Sequence, residues 1–106
     1  MAQYLIVYFG GNPPATPEEG KVHMAAYKEW MASIGEALVS PANPIKNTHT
    51  IESNGNTNVG SATLMSGYTI IESDSIERAA EIAKKCPFLA IGGKLEVSEL
   101  AAMPKF

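Results

Sequence analysis

The chain has 106 residues, a formal charge of −3 and 45% hydrophobic residues, with a single cysteine, Cys86. That length suits one domain with a modest core, residues 1–106. Eight scattered Lys and Arg residues argue against a nucleic-acid partner, because they offer no cluster to neutralise phosphates.

The apolar run Tyr4–Phe9 is far too short to span a bilayer, so no membrane is expected. It also lacks the positive flank and cleavage site of a signal peptide. One cysteine cannot form an internal disulfide, and its surroundings show no metal-ligand spacing. A reducing cytoplasm is the expected location.

Residues 3–9, QYLIVYF, read as a strand that ends at Gly10-Gly11. Tyr4, Ile6 and Tyr8 share one face, and Leu5, Val7 and Phe9 share the other. An apolar run without alternation points to burial on both faces and a central strand. GGNPPATP, residues 10–17, is a loop by composition.

Residues 18–35, EEGKVHMAAYKEWMASIG, form the strongest amphipathic segment. At about 100° per residue, His23, Tyr27, Trp30, Met31 and Ile34 fall on one side and Lys21, Lys28 and Glu29 on the other. Thr16 is the expected N-cap, Pro17 the first helical residue and Glu19 the far partner of a capping box. Gly35 is the expected C-cap.

Residues 37–39 suit a short strand, broken by Ser40-Pro41-Ala42-Asn43-Pro44. IKNTHTIE, residues 45–52, alternates enough to predict an edge strand, and Asn54-Gly55-Asn56 predicts a turn in a long hairpin loop reaching Ser61. Residues 62–72, ATLMSGYTIIE, predict the next strand, with Gly67 marking a bulge or a close backbone approach.

Asp74 and Glu77 suggest the capping box of a second helix with a narrow Ile76, Ala79, Ala80, Ala83 stripe. Pro87 stops it, and residues 94–97 form a last strand with Leu95 and Val97 inward. Residues 101–106 read as a tail.

The order β-α-β-β-α-β is the ferredoxin-like pattern: α+β, an antiparallel sheet with two helices on one face. Because the central strand is apolar on both sides, a homodimer packed sheet against sheet is expected.

GYTIIESDSIERAAEIAKKCPFLAIGGKLEVSEL, residues 67–100, resembles the second half of the YCII-related, or DGPF-type, family. Shared features are a Gly-aromatic strand, an acidic-capped helix, a step before Pro-Phe and a final Gly-x-x-Glu-Val strand. QYLIVYFGG and WMASIGEAL fit more loosely. The resemblance implies a dimeric α+β barrel. The chain departs from the family twice: SATLM (61–65) stands in place of Asp-Gly-Pro-Phe, and Cys86 stands in place of an Asp before Pro87-Phe88. In the family that Asp is paired with a histidine, here matched by His23, so the pair does not carry over intact.

His23 is the leading candidate for chemistry, since an imidazole on an otherwise apolar stripe can exchange a proton near neutral pH. The other reading is a core histidine bonded to a carbonyl or a tyrosine. Tyr8, Tyr27, Trp30 and Tyr68 are candidate ligand-binding residues, or core aromatics with polar ends at the edge. Met24, Met31 and Met65 are gap-fillers first.

Cys86 sits at a helix C-terminus, the wrong dipole end for a nucleophile. Glu52 or Glu72 could partner His23. Two distant histidines and one cysteine give no case for a metal, and no cofactor is expected. Two functions follow. One is a cofactor-independent enzyme using His23 for acid–base chemistry on a small organic molecule. The other is a non-catalytic dimeric module that binds a small ligand or assists another protein.

Overall fold

The structure, a computed structural model, describes residues 1–102. The expected tail, residues 101–106, lies largely outside them. The elements run β1 (Ala2–Gly10), α1 (Pro17–Ile34), β2 (Leu38–Pro44), β3 (His49–Ile51), β4 (Thr57–Val59), β5 (Met65–Ser73), α2 (Ile76–Ala83) and β6 (Gly93–Glu99). Short 3-10 turns follow α1 and precede β6. Strands β2-β5-β1-β6 form one antiparallel sheet, and β3-β4 form a separate ribbon. This is the expected ferredoxin-like α+β fold. Among the described residues, no helix is long and apolar enough to cross a membrane.

The period-two reading of β1 holds. Tyr4, Ile6 and Tyr8 are buried with Thr69, Ile71 and Ser73 of β5, beneath the helices. Leu5, Val7 and Phe9 face the other way and are half-buried beside Tyr68 and Ile70. Tyr27 and Trp30 of α1, Ala79 and Ala83 of α2, and Phe88 close the core. The small α2 stripe lets that helix lie close to the sheet.

The capping chemistry is realised with two refinements. The Thr16 hydroxyl accepts from the Glu19 N–H at 3.1 Å, and Glu19 reaches back to the N–H of Ala15, one residue earlier than a standard capping box requires. At α2 the cap is Ser75, not Asp74: its extended backbone aims the hydroxyl at the Arg78 N–H, 3.1 Å away. Such a cap contributes about 1 kcal/mol.

The largest correction concerns the second sheet strand. It is Leu38–Pro44, not 45–52, and it runs through two prolines. An edge strand tolerates them because one side of its backbone needs no ladder donors. Register shifts after Leu38 and Ser40 absorb the irregularity, and the Asn43 amide donates to the Tyr68 carbonyl at 3.2 Å. Ile45 keeps one bond to the sheet, its N–H donating to the Ser66 carbonyl at 3.0 Å, and beyond it only His49–Ile51 pair, in the ribbon. The next strand begins at Met65 rather than Ala62.

Gly67 is a place of close approach, as its position suggested. A Cβ there would lie 2.8 Å from the Asn43 carbonyl oxygen. The β1–β5 register shifts beside it, between Tyr8 and Phe9.

Candidate functional site

Between α1, the loop after β1 and the proline-bearing β2 lies a cleft of about 560 Å³, within the range of small-molecule sites. Tyr8 forms part of it from the sheet, His23 and Tyr27 from α1, and Phe88 from the turn before β6. Pro41 and Pro44 of β2 supply an apolar wall. No Lys, Arg, Asp or Glu is among its lining residues.

Aromatic packing builds the floor. Tyr8 and Phe88 stack with centroids 5.0 Å apart, and Tyr27 meets His23 edge-on at 4.8 Å. Gly11 and Gly93 make room for Phe88. A Cβ on Gly11 would stand 2.7 Å from the ring, and one on Gly93 would fall within its edge. Gly11 also has φ of 85°, a conformation that favours glycine.

Beneath the cleft runs a chain of buried hydroxyls and a thiol. Tyr8 is hydrogen-bonded to Thr69, and the Cys86 thiol donates to the Tyr27 hydroxyl at 3.9 Å. Burial pushes the Tyr8 phenol up to about 12, although its bond to Thr69 opposes the shift. Burial likewise raises Tyr27, with the Cys86 thiol and Tyr8 adding to it. Both phenols are therefore protonated throughout the neutral range and act as hydroxyls, not phenolates. Cys86 is raised by burial too, against hydrogen bonds that lower it, so its thiol is a structural group.

His23 is half-buried and opens on this cleft. It also opens on a second hollow of about 510 Å³ across the Pro13-Pro14 strap, where Glu18 and Glu19 lie. Among the described residues, neither ring nitrogen has a hydrogen-bond partner.

Two candidate ligand residues lie away from this cleft. Tyr68 lies opposite Val7 on the sheet face away from the helices, so it is not at the cleft. Trp30 is 5% exposed and donates its Nε1–H to the Ile82 carbonyl at 3.0 Å, which makes it a helix-to-helix tie. Glu72 shares the outer face with Tyr68, and Glu52 is in the ribbon beside Asn58, so neither joins His23. Phe88 is a further site residue, and the sequence signal for it is the pair of glycines, Gly11 and Gly93, against its ring. No group of three or more His, Cys, Asp or Glu side chains that could hold a metal occurs among the described residues.

The fold and cleft define the protein as a ferredoxin-like α+β domain with a small-molecule-sized cleft at the first helix. No family model matches the chain, and no curated protein matches it. A solved structure that is similar is the 5-chloro-2-hydroxyhydroquinone dehydrochlorinase TftG from Burkholderia phenoliruptrix AC1100, in complex with 2,5-dihydroxybenzoquinone. It is 14% identical, with a TM-score of 0.57 and 93% of each chain covered. At that identity the likeness is one of fold.

Proposed function

We propose that the chain is a small enzyme that binds an uncharged, ring-shaped organic molecule in the α1 cleft and uses His23 to move a proton. The observation that carries this reading is the exposure of His23 on an aromatic-floored cleft whose lining holds no other histidine and no Lys, Arg, Asp or Glu. Tyr8, Tyr27 and Phe88 supply an aromatic floor against which a ring can lie. His23 then takes a proton from a ligand carbon or hydroxyl, or returns one to it. The quinonoid ligand held by the structurally similar dehydrochlorinase suits a cleft of this size and lining, and membership of the YCII-related family would fit the same fold. The chain would act as a homodimer through its open sheet faces, in the cytoplasm, where a lone buried thiol stays reduced.

A second reading is a non-catalytic binding or accessory module. Cys86, standing where the resemblance places an Asp, favours it, because no carboxylate orients His23 inside the cleft.

His23→Ala separates the two readings. An enzyme that depends on the imidazole keeps its fold and its ligand but loses turnover of phenolic and quinonoid substrates. A binding module has no turnover to lose.

A further inference from the structure

We infer that the β3-β4 ribbon is a dimer arm, which packs its apolar face on a second copy of this chain beside the open sheet face. The inference rests on the sheet-to-sheet dimer proposed above and adds a second contact to it.

Three residue pairs hold the ribbon: His49 with Val59, Thr50 with Asn58 and Ile51 with Thr57. Alternation places His49, Ile51, Thr57 and Val59 on one ribbon face. Ile51 is 70% and Val59 88% exposed. A two-stranded ribbon is at best marginally stable alone in water, and needs a third strand or a packing surface. Within the described residues this ribbon has neither, since its contacts are chiefly internal.

Area points to the same partner. The sheet strands have 9, 7, 9 and 7 residues. At about 3.3 Å per residue and about 4.8 Å between strands, the open face covers a footprint of about 500 Å². A stable interface takes about 20–30 residues a side, whereas alternation turns only about half of these sheet residues to the open face, and sheet twist prevents full overlap of two such faces. The apolar part is smaller still: Leu5, Val7, Tyr68 and Ile70 form a stripe two strands wide, while Lys94, Glu96 and Ser98 make the β6 side polar. The sheet alone falls short.

The arm is joined to the sheet by apolar residues. It rejoins the sheet through exposed Leu64 and through Met65, which pairs with Phe9 on β1. Residues 45–64 carry one lysine and one glutamate, so the arm offers no net charge to an anionic surface and suits a near-neutral protein one. In a two-fold dimer each copy presents both arm and stripe, so the contact is made twice.

Sedimentation equilibrium on the wild type, Ile51→Asp and Val59→Asp tests this. Both side chains are exposed in a single copy, so each variant keeps its circular dichroism. The expected result is a dimer whose dissociation constant rises at least about tenfold in each variant. Unchanged dissociation constants overturn the arm and leave the sheet-face dimer standing. A wild-type monomer at all concentrations overturns both. Hydrogen exchange of the wild-type ribbon amides decides the case if a variant unfolds. Protection that rises with protein concentration supports the arm, and protection independent of it overturns the arm.

Discussion

Tyr8 and Phe88 stack at 5.0 Å with 23° between their planes, and this pair ties the central strand to the wall of the cleft. Room for Phe88 depends on Gly93, where a Cβ would meet the ring edge and also stand 2.8 Å from the Phe88 carbonyl oxygen. Gly93→Ala must push the ring off Tyr8. Overpacking of this kind costs about 1–3 kcal/mol, so the melting temperature should fall by roughly 5–15 °C. A melt within about 2 °C of wild type would contradict the packing described.

Trp30 anchors α1 to α2 through the Ile82 carbonyl. Trp30→Phe keeps most of the apolar contact but removes that hydrogen bond, while the Ile82 carbonyl keeps the Lys85 N–H at 3.2 Å, so a loss of about 0.5–1.5 kcal/mol is expected in urea unfolding. The slope of the urea transition should stay unchanged, because the surface exposed on unfolding hardly alters.

The raised phenols make stability depend on alkaline pH. Tyr8 ionises near 12 in the folded chain and near about 10 when unfolded. Below the unfolded value both states are protonated and the full stability is present. As pH rises from there towards 12, the unfolded state loses the proton first and stability declines. Tyr8→Phe should therefore show a shallower decline than wild type over that window in urea midpoints. Parallel curves would contradict the buried phenol.

Cys86 is buried with a raised thiol. Its reaction with a disulfide reagent should be slow in the folded chain and rapid in denaturant. Fast native labelling would show that the floor of the cleft is open.

Much of the fold was legible in local signals. β1 announced itself by its unbroken apolar run, α1 by Thr16, Pro17 and Glu19, and Gly67 by its place inside a strand. β2 was legible only at its start, Leu38 and Val39, because Pro41 and Pro44 forbid an interior strand and only the sheet order shows that this one lies at the edge. The site was half legible. His23 and Tyr27 share a helix stripe and Tyr8 faces them, but Tyr68 required the β1–β5 register to be placed on the far face. Trp30 sat on the right stripe and was claimed by a carbonyl 52 positions away. Such long-range partners leave no trace in spacing.

The central claim is that a small ring binds against His23. It is tested most directly by nuclear magnetic resonance shifts on titration with hydroquinone, a neutral ring with two hydroxyls. The expected result is saturable perturbation of the His23 imidazole together with the Tyr8, Tyr27 and Phe88 rings, with Tyr68 unmoved. Saturable shifts that leave His23 unperturbed, or no shifts at all, would contradict the account.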